Sequence, residues 1–234
     1  MPVTSQVTSS VREYLWNWQG QPLRVVYETL GEGIPVLLLP AFSTVSSRGE
    51  MGRLATLLAS QFQTVTVDWP GFGDSDRPTL DYQPAIYHQF LEDFVTHVFN
   101  TPVIVVAAGH AAGYAMQLAQ KQPGVVAKIV LIAPTWRGPL PTMMSKSSES
   151  FGAVRQAVRS PILGQFLYKL NTAPSFLRWM YRRHVYTDAA NLTPDFIQQK
   201  WEITQQPGAR FAPVAFVTGA LDPARNSSDF LAWF

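Results

Sequence analysis

Strand-like and helix-like segments alternate along much of this chain, and the alternation restricts the fold more than any other feature of the sequence. Apolar or β-branched runs of strand length occur at residues 35–39, 64–67, 103–107 and 126–132. Between these runs, apolar side chains recur at helical spacing, most clearly in residues 86–99 and 112–120. This order predicts an α/β fold with a mostly parallel sheet and flanking helices.

The first two strands are expected to pair differently from the rest. Residues 14–18 and 23–29 are strand-like and are separated by Gln19-Gly20-Gln21, which predicts an N-terminal antiparallel hairpin. Further along, Ser47 and Glu50 have the spacing of a capping box and precede apolar residues at helical spacing. We therefore expect a helix to begin near residue 51.

The alternation stops after Pro134, beyond the sixth expected strand. Residues 138–141 contain two prolines, and residues 142–150 are rich in Ser and Met, which predicts a loop. Helical periodicity returns in residues 154–170 and 175–184, and Thr193-Pro194 is typical of a helix start. These segments predict a helical cap over the edge of the sheet where ligands bind in such folds.

The same patterns suggest where the parts of the chain begin and end. We expect an α/β core over residues 1–137 and a cap over residues 138–210. Residues 211–234 form either the last cap helix or the start of a C-terminal part of the core.

Composition excludes several classes of protein. Of the 234 residues, 47% are hydrophobic and 15% are charged, too apolar a balance for a disordered chain. The chain has no Cys, so disulfides and thiolate metal sites are excluded. A net charge of +2 is too small to indicate a nucleic-acid partner. No cofactor or metal is predicted, since no metal-ligand cluster is evident and Gly71-Phe72-Gly73 lacks the third glycine of a dinucleotide fingerprint.

Targeting and membrane signals are equally sparse. The first twelve residues lack the apolar stretch of a secretory signal, and no apolar run approaches the ~18 residues of a membrane helix. We therefore expect a cytoplasmic protein. With 7 Trp, 14 Phe and 8 Tyr in the chain, peripheral membrane contact stays open, and a small hydrophobic molecule is the expected partner. The oligomeric state is not indicated.

Three loops follow expected strands at their carboxyl ends. They contain Leu39-Pro40-Ala41-Phe42, the stretch from Asp68 to Pro78, and Gly109-His110-Ala111-Ala112-Gly113. In this order, the loops resemble those of the α/β-hydrolase fold family over residues 16–134. The opening Trp16-Asn17-Trp18-Gln19-Gly20 is similar to the plant and cyanobacterial branch that includes pheophytinase-like proteins.

The resemblance implies roles for individual residues. Gly109 and Gly113 match the glycines of the family's Gly-x-Ser-x-Gly nucleophile elbow, and Ala111 stands at the nucleophile position. The oxyanion loop and adjoining pocket would include Ala41, Phe42, Ser43, His110 and Ala112. A methyl group cannot attack a carbonyl carbon, so acyl transfer at this elbow is not expected. Ser43 is an alternative hydroxyl, although a loop role is the simpler interpretation, and His110 is expected to pack or hydrogen-bond structurally.

The acid and the histidine of the family's triad are harder to place. Residues 213–222 can be read as a strand followed by Gly-x-x-Asp, with Asp222 at the acid position. Phe211, Val214 or Ala215, Val217 and Leu221 instead have helical spacing, which we favour. On either interpretation no final strand with its histidine follows, and we expect one or more C-terminal strands of the fold to be missing.

These features favour a protein of the ester-hydrolase lineage with an apolar capped pocket, catalytically impaired because of Ala111. The alternative is a non-catalytic binding or scaffold protein for a hydrophobic ligand or protein partner. A lyase or cofactor-independent oxygenase ranks last, because such chemistry still needs a base. A sheet that stops at its sixth strand also leaves an open edge, so we expect poor solubility or self-association.

Overall fold

A single six-stranded sheet organises the protein, whose computed structural model describes residues 9–184 and 188–233. The strands lie in the order β1-β2-β4-β3-β5-β6. Their bounds are β1 Ser9–Trp18, β2 Gln21–Leu30, β3 Ile34–Leu39, β4 Phe62–Val67, β5 Val103–Ala108 and β6 Val126–Ile132. Strand β2 is antiparallel to β1 and β4, whereas β3 is parallel to β4 and β5, and β6 is parallel to β5. The predicted mostly parallel sheet with an N-terminal antiparallel hairpin is confirmed.

The position of β3 between β4 and β5 explains why the sequence of this strand is apolar throughout. Leu37 and Leu39 point into the larger hydrophobic cluster, and Val36 and Leu38 point into a second cluster on the opposite face. Successive side chains of a strand face opposite sides of the sheet. A strand covered on both faces must therefore be apolar at every position.

Three helices cover the two faces of this sheet. Helix α1 (Gly52–Leu58) contributes Ala55 to the cluster that contains Val36 and Leu38. Helices α2 (Pro84–Val98) and α3 (Ala111–Lys121) contribute to the larger cluster on the other face. The expected capping box is wrong, because the Ser47 side chain makes no capping hydrogen bond. The Glu50 carboxylate instead accepts a hydrogen bond from Lys200 Nζ at 3.2 Å.

In the described part of the chain after β6, residues 133–184 and 188–233, seven further α-helices follow. They are α4 (Pro139–Met144), α5 (Gly152–Arg159), α6 (Leu163–Asn171), α7 (Pro174–His184), α8 (Pro194–Gln205), α9 (Phe211–Val217) and α10 (Ser227–Leu231).

Two sequence expectations for this helical part need correction, and one is confirmed. Residues 154–170 are not one helix, since the chain breaks at Pro161 between α5 and α6; proline lacks the amide hydrogen that a helix interior needs. Residues 142–150 are not simply a loop, since they include the end of α4 and the start of a 3₁₀ turn, Ser148–Phe151. Thr193 is the N-cap of α8, with its side chain accepting from Phe196 N at 3.1 Å as expected.

Residues 211–217 are helical, in agreement with the favoured alternative and not with the strand. Helix α9 buries Phe211, Ala212, Val214, Ala215 and Phe216. Asp222 therefore follows a helix and a turn, and does not stand at the end of a strand.

Strand β6 lies at one end of the sheet. Within residues 9–184 and 188–233, it pairs with β5 and with no other strand. Val130 and Ile132 on this strand are 51% and 42% exposed, so an apolar sheet edge meets solvent here. Across the same residues, no helix combines the length and the apolar character needed to cross a bilayer.

Candidate functional site

The turn between β5 and α3, where the sequence predicts the nucleophile elbow, is tight. Gly109 adopts a φ of +55°, a conformation that L side chains rarely adopt. A Cβ at Gly113 would lie 2.5 Å from Pro223 Cγ, so only glycine lets the segment after α9 approach α3 this closely. Ala111 and Ala112 begin α3, and both are 0% exposed. The turn therefore has its left-handed residue at Gly109, and Ala111 contributes a buried methyl group to the start of α3.

The loop after β3 packs against this elbow. Phe42 is buried in an aromatic cluster, with its ring 5.0 Å from that of Trp69 and 4.9 Å from that of Tyr87. Ala41 lies beside the elbow, since a Cβ on Gly109 would be 3.1 Å from the Ala41 Cβ. Ser43 Oγ accepts a hydrogen bond from Val45 N at 3.2 Å, which is a local turn contact. This contact supports the loop interpretation of Ser43.

Asp68 is the buried centre of a group of side chains that we call the Asp68 cluster and that comprises Arg48, Asp68, Asp74 and Ser75. The fully buried Asp68 carboxylate accepts hydrogen bonds from the backbone N–H and the guanidinium of Arg48, and from Asp74 N at 2.9 Å. Ser75 Oγ donates to Asp68 O at 2.8 Å and accepts from Val26 N at 2.9 Å. Burial raises the pKa of Asp68, while these hydrogen bonds and the positive charge of Arg48 oppose that rise. The cluster therefore ties the loop after β4, which contains Gly71 and Gly73, to Asp68 through Asp74 and Ser75.

His110 connects the elbow to two distant segments. Its Nδ1 is 2.8 Å from Thr135 Oγ1, in the loop after β6, and its Nε2 is 3.2 Å from Asp222 Oδ1. The residue is 2% exposed, whereas Thr135 lies on the exposed loop. Asp222 Oδ1 also accepts from Gly138 N at 2.8 Å. We call His110, Thr135 and Asp222 the His110 cluster.

The surroundings of the Asp222 carboxyl shift its pKa upward. Burial raises its pKa, and the hydrogen bond and charge of His110, the Gly138 N–H and the charge of Arg137 oppose the rise. Tyr114, whose hydroxyl donates to Leu221 O at 2.7 Å, holds the preceding residue against α3. The carboxylate is therefore held by His110 at the start of α3 and by Gly138 in the loop after β6, while Tyr114 holds the residue before it.

The structure brings several of the sequence-predicted site residues together. Phe42 and His110 both contact the ring of Phe216, at 6.2 and 4.9 Å, and Asp222 joins His110 through their hydrogen bond. Sequence reasoning missed Thr135 as a partner of His110, since the two lie 25 residues apart. The available signal was that Thr135 closely follows β6, which pairs with β5, the strand before the elbow.

A sequence model of the alpha/beta hydrolase family matches residues 36–233. The chain belongs to the alpha/beta hydrolase family. The match extends over β3 to β6 and all the helices described above, and so includes the elbow and both buried clusters.

Individual relatives in this family are distant. An uncharacterised protein of Mycobacterium tuberculosis is 27% identical over 110 residues, which are 47% of this chain and 32% of that protein. The chain thus spans about a third of the length of this curated relative.

Solved structures share the fold at low sequence identity. The epoxide hydrolase CorEH is 18% identical with a TM-score of 0.66, covering 90% of this chain and 74% of that one. The haloalkane dehalogenase DatA of Agrobacterium tumefaciens C58 is 17% identical with a TM-score of 0.66, covering 95% of this chain and 72% of that one. At these identities the likeness shows the shared fold.

Two of the cavities among the described residues lie next to the two ends of α9. One, of about 530 Å³, lies between the β1–β2 turn, the loop after β4 and the residues before α9. The other, of about 620 Å³, has walls formed by Trp136, Arg137, Glu149, Asp222 and Arg225 among others. Ala111 lines neither of them.

Among residues 9–184 and 188–233, no group of three or more His, Asp or Glu side chains is placed to hold a metal ion.

Proposed function

We propose that this protein is a member of the ester-hydrolase lineage of its family whose elbow does not carry out acyl transfer. The observation that carries the proposal is Ala111, fully buried at the start of α3 and at the nucleophile position that the sequence resemblance implies. Acyl transfer at an elbow needs a side chain that can attack the carbonyl carbon, and a methyl group has no lone pair.

The expected ligand of the elbow region is a small hydrophobic molecule held under a helical cap. Phe216 of α9 supports this assignment, because its ring lies between Phe42 and His110 and covers the elbow with apolar surface. A ligand would displace this ring and take over its contacts. Burying apolar ligand surface contributes roughly 25 cal/mol per Å².

Ester turnover tests the catalytic half of the proposal. The native chain, Ala111→Ser and Ser43→Ala are compared with p-nitrophenyl butyrate, and a fluorophosphonate probe is mapped by peptide mass spectrometry. We expect no labelling at Ser43 in the native chain and new labelling at position 111 in Ala111→Ser. Turnover by the native chain that Ser43→Ala removes would contradict the proposal.

Ligand binding tests the other half. Fluorescence of 8-anilinonaphthalene-1-sulfonate is measured with the native chain, Phe216→Ala and the control Phe176→Ala, an exposed aromatic on α7. Opening the space over the elbow should tighten binding in Phe216→Ala and leave Phe176→Ala unchanged. Equal binding by all three proteins would remove the assignment of the ligand to the elbow.

The second candidate is a binding or scaffold protein that has lost the hydrolase chemistry altogether. The burial of Ala111 favours it, because a nucleophile there would also need access to substrate. The same Ala111→Ser variant separates the two functions. A folded Ala111→Ser protein that stays unlabelled supports the binding function, whereas labelling supports the disarmed hydrolase.

A further inference from the structure

The His110 cluster contains a hydroxyl, an imidazole and a carboxylate in a row. Thr135 Oγ1 lies 2.8 Å from His110 Nδ1, and Asp222 Oδ1 lies 3.2 Å from His110 Nε2. The proposed elbow chemistry uses neither Thr135 nor this row. Both distances are those of ordinary hydrogen bonds.

Proton positions follow from the chemistry of the three groups. An ionised carboxylate only accepts hydrogen bonds, so with Asp222 ionised the His110 proton lies on Nε2. A neutral imidazole carries one ring proton, which leaves the lone pair of Nδ1 to accept the hydroxyl proton of Thr135. The resulting order of nucleophile, base and orienting acid is the arrangement that activates a hydroxyl for acyl transfer.

The backbone holds this row rigidly. Gly109 N donates to Ile132 O at 3.0 Å, and Thr135 N donates to Gly109 O at 3.2 Å, which ties the loop after β6 to the elbow. Ala133 in this loop has a φ of +43°, a strained conformation for a residue with a side chain. At the other end, Gly138 N fixes Asp222 Oδ1 at 2.8 Å. Fixed partners of this kind reduce the reorganisation needed for reaction.

The two ends of this row differ in their exposure to solvent. Thr135 is exposed and His110 is buried, so a substrate can reach the hydroxyl while most of the imidazole is enclosed by protein. Trp136 and Arg137, the next two residues, line the cavity of about 620 Å³ that also contains Asp222. This volume falls in the usual range of roughly 300–1,000 Å³ for small-molecule sites.

We propose that Thr135 is an acyl-accepting nucleophile, with His110 as its general base and Asp222 as the residue that positions the imidazole. The acyl donor is a small carboxylic ester whose body lies in the cavity beside Trp136. This inference goes beyond the proposed function: the elbow remains inert at Ala111, and a different hydroxyl reacts.

The reaction balances without any further reagent. Thr135 Oγ1 forms a bond to the ester carbonyl carbon as its proton passes to His110 Nδ1. The tetrahedral intermediate then breaks its bond to the alcohol oxygen, which takes the proton from Nδ1 and leaves as the alcohol. Water attacks the acyl-threonine ester in the same way, with His110 as base and then acid, and releases the carboxylic acid.

Active-site labelling tests the proposal on the full chain. The native protein is treated with p-nitrophenyl acetate and, separately, with a fluorophosphonate probe, and the modified residue is located by peptide mass spectrometry. We expect an adduct at Thr135, its loss in Thr135→Val and its retention in Thr135→Ser. Thr142→Val is the matched control, because Thr142 Oγ1 donates to Gly138 O at 2.8 Å and lies on the same stretch of chain.

The contribution of Asp222 has its own readout. Asp222→Asn should slow adduct formation by about 10²- to 10⁴-fold, the usual contribution of assisted proton transfer, and Thr135→Val should unfold at the native denaturant midpoint. An adduct confined to other residues, or a Thr135 adduct formed equally fast in folded Asp222→Asn, would overturn the proposal. An adduct at Ser43 would instead overturn the proposed function, so the two failures are distinguishable.

Discussion

The Asp68 cluster and the His110 cluster each have a buried residue at the centre, Asp68 and His110, but they differ at their outer ends. In the Asp68 cluster, the acceptors are occupied by backbone N–H groups, a guanidinium and an internal serine. In the His110 cluster, the row ends at the hydroxyl of Thr135 on an exposed loop. A closed network stabilises a loop, whereas a network that ends at an accessible hydroxyl can also activate it.

Replacing Asp68 should give the largest loss of stability. Asp68→Ala removes the acceptor for Arg48 and for Asp74 N, and breaking a buried ion pair costs about 3–5 kcal/mol. Urea unfolding monitored by tryptophan fluorescence measures the loss.

Asp81→Ala is the control for this measurement. Its side chain is 87% exposed and lies 3.9 Å from Arg159, so we expect a change of less than about 1 kcal/mol. Equal losses in the two variants would show that the Asp68 cluster does not stabilise its loop.

A smaller loss is expected on the side of the His110 cluster. In Gly113→Ala the new Cβ would meet Pro223, directly after Asp222, at 2.5 Å. Overpacking of this kind costs about 1–3 kcal/mol. Gly52→Ala is the matched helical control, since a Cβ there meets nothing within 4 Å. If the free energy of unfolding is the same in both variants, the segment around Pro223 does not pack on α3 as described.

The pH dependence of the free energy of unfolding should show how much the buried charge of Asp222 destabilises the folded protein. Its pKa is raised on folding, so ionised Asp222 opposes folding at neutral pH. That cost is relieved as pH falls through the raised pKa, and the relief is complete below about 3.9, the value in the unfolded chain. His110, Arg137 and Tyr114 are the titratable or charged neighbours that act on this carboxyl.

The native protein should therefore gain stability relative to Asp222→Asn as the pH falls from 7 towards 4. Denaturant midpoints of both proteins, measured across this range, give the difference. The exposed residue Asp229 provides the control, Asp229→Asn. A difference that stays constant with pH would argue against burial of the Asp222 charge.

The smallest effect on stability is expected away from both clusters, at the edge of the sheet. Val130→Lys places a charge on the exposed side of β6 and should change stability by no more than about 0.5 kcal/mol. It should nevertheless reduce self-association, because a lysine on an edge strand opposes pairing with another chain. Leu57→Lys, at a 68% exposed position on α1, should leave association unchanged. Light scattering at matched concentrations compares the three proteins.

The fold followed from local patterns that the sequence displays directly. Apolar runs marked strands β3 to β6, and the spacing of residues such as Phe90 and Phe94 marked α2. The elbow was recognisable because its two glycines meet steric demands that are local to one turn and its neighbours.

Contacts between distant residues could not be obtained in this way. Asp222 lies 112 residues from His110, and Lys200 lies 150 residues from Glu50. In the second case the local signal was misleading, since Glu50 had the spacing of a capping box but pairs with α8. Tertiary electrostatics decided the outcome, because Lys200 is buried and a buried ammonium needs a charged partner.

The position of β3 in the sheet also bears on how the chain is made. This strand lies between β4 and β5, which are both synthesised after it. As the chain leaves the ribosome, β3 can pair along only one of its two edges, with β4, until β5 has emerged up to residue 108. The hairpin of β1 and β2 needs no later residue to close, so it can form before the parallel strands pair. Pairing of β3 with strands that lie later in the chain is slow compared with hairpin formation. Until that pairing is complete, the apolar side chains of β3 are exposed and could be bound by a chaperone.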